Sequence, residues 1–224
     1  MAQSVSGMSM ECPLCREPHT VFLGADGRRE YYHCQTCALR FVPPKYHVGI
    51  HEEKARYALH TNDGEDKQYI GYLGRIVSNI QKIARPGGRI LDFGSGEHAA
   101  LTSLLKKAGY ECAAYDPLYG VGGRALEKKY NCVVLCEVIE HLRKPAEELR
   151  KIWKALVPGG TAFIKTAFYP DSNFLSWWYK EDITHICFFS QETFRYVEHL
   201  LENTASCTIT RHFILLRKYN QDDA

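Results

Sequence analysis

The run Ile90-Leu91-Asp92-Phe93-Gly94-Ser95-Gly96 is the first place in this chain where residue types and spacing could do chemistry. An apolar stretch breaks into a glycine turn, and the next apolar stretch ends in Asp116. Gly94 and Gly96 permit positive φ and let a ligand approach bare backbone, while a carboxylate closing the second strand can accept hydrogen bonds from ribose hydroxyls. That layout builds a nucleotide site. Gly94-Ser95-Gly96-Glu97-His98-Ala99 also fits the dinucleotide pattern G-x-G-x-x-G/A with an acid about 20 residues beyond it, so these residues alone leave the nucleotide open.

Two further constellations carry chemistry. Glu137-x-x-Glu140-His141 follows an apolar strand, Tyr130 to Cys136. If a helix starts there, positions i, i+3 and i+4 share one face and two carboxylates meet an imidazole, as a divalent-metal site or an acid/base site. Cys12-x2-Cys15 and Cys34-x2-Cys37, with 18 residues between the pairs, have the spacing of two zinc knuckles. Four thiolates close the coordination sphere, so that zinc would be structural. A disulfide framework is the other use of such cysteines; the first ten residues are polar, without a secretory signal core, which favours zinc and an intracellular, cytoplasmic protein. His33 reads as a neighbour of the site. Cys112, Cys132, Cys136, Cys187 and Cys207 are scattered and read as free thiols.

Three blocks identify the nucleotide by resemblance. They are Asp92 two residues before the first glycine, the run Tyr130 to Leu142, and Leu156-Val157-Pro158-Gly159-Gly160, which reads as a helix end turning into the strand Thr161 to Thr166. In this order they resemble the class I S-adenosylmethionine-dependent methyltransferases, in particular the ubiquinone-biosynthesis O-methyltransferases, over roughly Pro86 to Tyr219. The resemblance implies an α/β, Rossmann-like sheet with S-adenosylmethionine as cosubstrate. Asp92, Gly94, Ser95 and Gly96 would face its methionine end, Asp116 its ribose, and Cys136 and Glu137 its far side. The family's usual third glycine is His98 here. Glu-x-x-Glu-His is also similar to the metal motif of small-RNA 3′-terminal 2′-O-methyltransferases, which implies His185 as a fourth ligand beside Glu137, Glu140 and His141. Mg2+, Mn2+, Fe2+ and Zn2+ would all suit that set. Without metal, His141 or His185 would be the general base, with Glu140 beside them.

The elements that must position these groups follow from patterning. Val21-Phe22-Leu23 and Tyr31-Tyr32 flank Gly24 to Gly27 as a hairpin, giving a zinc ribbon over residues 1–45. Glu52 to His60 and Asp66 to Ala84 read as helices of a linker or lid, 46–85, the second with Ile70, Leu73, Ile76, Val77, Ile80 and Ile83 at helical spacing. Tyr57, His60 and Tyr69 either face substrate or pack between lid and core. The methyltransferase domain would occupy 86–224. Its aromatic stretch from Phe168 to Tyr179 follows the fifth core strand, where the resemblance implies a substrate loop, so Trp177 or Trp178 either lines the pocket or packs in core or lid. Gln191 to Glu202 reads as a helix, and Cys207 to Ile209 and Phe213 to Leu216 as edge strands.

Composition narrows the partners. With 28 basic and 26 acidic residues, a net charge of +2 and both signs interspersed, the chain has no electrostatic footprint for nucleic acid, and no apolar run is long enough to span a membrane. The expected acceptor is a small molecule, methylated at oxygen. The alternatives are an RNA methyltransferase, a non-catalytic zinc-ribbon adaptor that keeps the fold, and an NAD enzyme. Oligomeric state has no sequence signature here.

Overall fold

The computed structural model describes residues 10–59, 66–202 and 204–220. A six-stranded sheet carries the nucleotide turn. Its strands are β4 (Arg89–Phe93), β5 (Glu111–Tyr115), β6 (Tyr130–Cys136), β7 (Leu156–Lys165), β9 (Ala205–Ile209) and β10 (Ile214–Lys218), in the order β5-β4-β6-β7-β10-β9. The first four run parallel, and β10 is antiparallel to both β7 and β9. Alternation along the strands feeds two cores. Ile90, Cys132 and Val134 pack with Leu73, Ile76 and Ile80 of α2 (Lys67–Ile80) and Leu101 and Leu105 of α3 (Ala100–Lys107). Leu91, Val133 and Leu135 face the other way, onto Leu149 and Ile152 of α4 (Pro145–Ala155) and Phe194 and Val197 of α5 (Gln191–Leu200).

Helix limits follow their caps. Asp66 accepts the N–H groups of Gln68 and Tyr69 and starts α2, as its position before the periodic run predicts. Pro145 occupies the first turn of α4, where its missing N–H costs nothing. The first lid helix, α1 (Ile50–Ala58), ends two residues before His60, which lies outside the described residues. One expectation is corrected at Leu156. Strand β7 begins there, directly after α4, and takes in the residues read as a turn: between Leu156 and Thr161 it advances five residues against two of β6, with Gly159 at φ +71°.

The N-terminal cysteines sit on a second sheet of β1 (Thr20–Ala25), β2 (Glu30–Cys34), β3 (Arg40–Phe41) and β8 (Cys187–Phe188), in that order. The hairpin β1–β2 forms where the pattern places it. The fourth strand arrives from the far end of the chain: Arg40 pairs with Phe188 and Phe41 with Cys187. Cys12, Leu14, Tyr31 and Phe41 therefore share one continuous apolar core with Phe188, Phe189 and the helix α4 side of the large sheet. Phe188 is fully buried between the rings of Tyr31, Phe174 and Trp177. Its truncation in Phe188→Ala should cost about 3–5 kcal/mol by chemical denaturation, the range for deleting a buried aromatic side chain; a loss under about 1 kcal/mol would show that this junction carries little of the fold.

Candidate functional site

The chain crosses from β5 over β4 to β6, and the crevice at the carboxyl ends of β4 and β6 is the switch point where open α/β sheets bind ligands. A cavity of about 1100 Å³ opens there, lined among others by Asp92, Gly94, Ser95, Gly96, Asp116, Cys136 and Glu137. Gly94 and Gly96 have φ of +78° and +68°, and a Cβ on Gly94 would come within 2.5 Å of Val138, so only glycine fits. Asp116 organises the turn. One carboxylate oxygen accepts the Gly96 N–H at 2.9 Å, and the other accepts the N–H groups of Leu118 and Tyr119 at 2.9 and 3.4 Å. Asp92 lies deeper and accepts the Thr102 hydroxyl at 2.7 Å. Burial pushes its carboxyl up to about 6 against that hydrogen bond. His98, at the third-glycine position, is exposed on the cavity rim.

The acidic motif has a different local structure from the expected helix. Glu137 sits at φ +53°, its N–H donating to the Lys165 carbonyl at 2.9 Å, and residues Ile139–His141 form a 3-10 turn. The three groups consequently point to two places. Glu137 turns to Lys165, 3.1 Å away, and accepts from Tyr72 at 3.0 Å and Tyr179 at 2.7 Å. Glu140 is completely buried; its Oε1 lies against the oxygen of the Tyr179 hydroxyl, whose one hydrogen goes to Glu137, and its other oxygen has no hydrogen-bond partner. Burial and the facing Glu137 hold the Glu140 carboxyl well above the usual range, so the pair keeps a proton on Glu140.

His141 and His185 approach Glu140, and one ligand atom from each of the three lies within 4.8 Å of the others. Glu137, implied as a fourth ligand, is not part of that group. His141 Nδ1 donates to the Thr184 carbonyl at 3.1 Å and His185 Nδ1 to the Tyr179 carbonyl at 2.6 Å, which leaves a lone pair on each Nε2. Burial lowers both imidazoles, His141 to about 3, so both are neutral. Two neutral imidazoles oriented through backbone carbonyls beside a carboxyl group with an orphaned oxygen form a donor set that fits a divalent cation, which would displace the Glu140 proton.

The four N-terminal cysteines fit zinc. Their sulfurs all lie within 4.8 Å, with Cys12–Cys37 at 3.5 Å and Cys15–Cys34 at 3.4 Å. A tetrahedral tetrathiolate has sulfur–sulfur edges of about 3.8 Å, from Zn–S bonds of about 2.3 Å. The Cys37 thiol holds Cys12 down at about 6, while its hydrogen bond to the Cys12 sulfur and then burial push Cys37 up, so the cluster resists further negative charge unless a cation joins it. His33 stands outside the group.

Tyr57 and Tyr69 line the cavity, and the tryptophans divide: Trp178 is on its rim, 72% exposed, while Trp177 packs into the aromatic core against Phe174 and Phe188. Sequence reasoning missed Tyr72, Lys165 and Tyr179. All three reach the acidic pair from distant positions, and only the crowding of aromatics before His185 hinted at Tyr179.

No curated protein matches the sequence. Among solved structures, a Methanococcus maripaludis chain named for S-adenosyl-L-methionine-dependent methyl transfer is 15% identical, with a TM-score of 0.53 over 80% of this chain and 95% of that one. A chain from the complex of the Haloferax volcanii Trm112 methyltransferase activator with its methyltransferase is also 15% identical, at a TM-score of 0.51 over 71% of this chain and 95% of that one. These likenesses concern the fold. The family model for the methyltransferase domain matches residues 66–203, more than half of the sequence and the whole of the glycine turn, acidic motif and His185. The chain belongs to that family, and it is an S-adenosylmethionine-dependent methyltransferase with an N-terminal four-cysteine ribbon.

Proposed function

We propose that this methyltransferase methylates a hydroxyl oxygen of a small molecule, with Glu140, His141 and His185 holding a divalent metal beside the acceptor. The observation that carries the reading is the orphaned Glu140 oxygen next to two imidazoles whose Nε2 atoms are left free by backbone carbonyls. The cavity volume supports a small acceptor, since about 1100 Å³ exceeds what one drug-sized ligand needs and leaves room beside the cosubstrate. The acceptor oxygen follows the likeness to the ubiquinone-biosynthesis O-methyltransferases and the affinity of hard cations for oxygen.

The sulfonium of S-adenosylmethionine carries an activated methyl group, so the protein's work is alignment and proton removal. The backbone at Gly94, Ser95 and Gly96 and the buried Asp92 would receive the methionine end, Asp116 the ribose, and Cys136 and Glu137 the wall between cosubstrate and acceptor. Lys165 and Tyr72 hold the Glu137 carboxylate in one orientation. A bound divalent cation would lower the pKa of the acceptor hydroxyl. With a metal bound, the Nε2 atoms of His141 and His185 would be its ligands; without one, those same Nε2 lone pairs would be the bases nearest the acceptor, weakened by burial and most of all at His141. Tyr57, Tyr69 and Trp178 offer aromatic surface to the acceptor's apolar part. The ribbon's Arg16, Arg28 and Lys45 are each paired with an acid, which gives an RNA acceptor no support.

Two results test this reading. Glu140→Gln and His185→Ala each remove a ligand and should lower metal affinity and turnover by more than the roughly 100-fold that loss of an outer partner can cost, while S-adenosylmethionine still binds; wild-type rates in both variants and after chelation would remove the metal. Asp92 gives a pH signature. Its carboxyl titrates near 6 in the fold and near 3.9 unfolded, so its stabilising neutral form is complete below about pH 4 and is lost as pH rises through 6, a change of about 2–3 kcal/mol. Asp92→Asn should flatten that slope in the ligand-free protein and weaken cosubstrate binding; an unaltered slope would contradict the buried-carboxyl account.

A further inference from the structure

The segment that carries Tyr179 and His185 is held from outside the methyltransferase domain. Arg29, at the mouth of the ribbon hairpin and 5% exposed, directs its guanidinium into the turn 180–185. Nη1 donates to the carbonyls of Ile183 at 2.9 Å and His185 at 3.0 Å, Nη2 to those of Asp182 at 2.9 Å and Lys180, and Nε to the Tyr31 hydroxyl at 3.0 Å. All five donors of the fork are used, four of them on one turn. Lys180, 1% exposed, returns the contact by donating to Asp26 at 3.0 Å, and the Tyr31 hydroxyl donates to the same oxygen at 2.6 Å.

The same segment is fixed at its carboxyl end, at Ile186, from two sides. Val42 of the ribbon donates to the Ile186 carbonyl at 2.9 Å ahead of the β3–β8 pairing, and Ile186 donates to the Glu140 carbonyl at 2.9 Å. On the ribbon side, β2 runs without interruption from Glu30, next to Arg29, to the cysteine ligand Cys34. A rigid strand thus connects the four-cysteine site to the turn that orients His185.

We propose that the ribbon is part of the methyl-transfer site, with Arg29 as the positioning residue that sets His185 and Tyr179 against Glu140. Four inward-facing carbonyls cannot satisfy one another, and each buried carbonyl left without a donor is costly. Without the guanidinium the turn has to open, and the His185 ring and the Tyr179 hydroxyl move with it. Lysine brings a point charge with three donors, which cannot reproduce a planar five-donor fork. The cosubstrate half, built on β4 and β5, is not touched by Arg29.

The proposal rests on reading Glu140, His141 and His185 as the acceptor site, and the experiment keeps the two apart. Full-length zinc-loaded Arg29→Met, Arg29→Lys and Lys180→Met would be compared with wild type by three readouts: amide hydrogen exchange across 178–186, Co2+ binding by visible absorbance, and S-adenosylmethionine titration. In Arg29→Met the exchange should accelerate in 178–186 and Co2+ affinity should fall about 10- to 100-fold, with cosubstrate affinity unchanged. Arg29→Lys should recover part of the loss. Lys180→Met, which leaves the ribbon's own residues intact, should shift both readouts in the same direction if Arg29→Met fails to fold. Unchanged exchange and unchanged Co2+ affinity would overturn the proposal. If wild type takes up no Co2+ beyond the cysteine site, the metal reading fails while hydrogen exchange still decides the role of Arg29.

Discussion

A turn that aims four main-chain carbonyls at one point needs a cation there, and Arg29 supplies it from a different sheet. Much of the cavity wall around Glu140 and His185 depends on that constraint. The turn brings the Tyr179 hydroxyl to Glu137 and Glu140 and gives His185 its Nδ1 partner. It then leads into β8, which completes the ribbon sheet. The large sheet is held together by ladder hydrogen bonds and two apolar cores; that wall is held by a buried polar network spanning about 150 residues of sequence. Such networks specify one arrangement when every member is satisfied. The single member left over, the second Glu140 oxygen, is where a ligand has something to offer.

The cavity has two sides of different origin. One side is the switch point of a parallel sheet, formed by a glycine turn and the carboxylate that caps it, where the proposed reading puts the cosubstrate. The other, where that reading puts the acceptor, gathers α1, α2, the 3-10 turn after β6 and the segment after β7. A fold with this division can keep its cosubstrate while changing its acceptor, which is why the family alone does not name a substrate.

The glycine turn and the cysteine knuckles were legible in the sequence because they are local. Positive φ at Gly94 and Gly96 and the two knuckles are set by neighbours a few residues apart, Asp116 reaches Gly96 within a single strand–helix–strand unit, and the elements around them follow from alternation and helical spacing. The acidic motif was legible as a set of residue types but not as geometry. Glu137 continues the β6–β7 hydrogen bonding with its N–H while adopting φ +53°, a conformation with no signature in a non-glycine residue, and helix α4 waits for Pro145. Glu137 therefore separates from Glu140 and His141 and joins Lys165 and Tyr72 instead. Arg29, Lys180 and β8 were invisible for another reason. An arginine in a charged hairpin reads as solvated surface, and only the folded chain shows that a distant turn has buried it.

The most direct test is a calorimetric titration of the folded, zinc-loaded protein with S-adenosylmethionine. Saturable binding at one site per chain, lost in Asp116→Ala, is the predicted result. No saturable binding would mean that the glycine turn and Asp116, although built as a nucleotide site, do not serve this cosubstrate, and the account of methyl transfer from the adjoining cavity would be wrong.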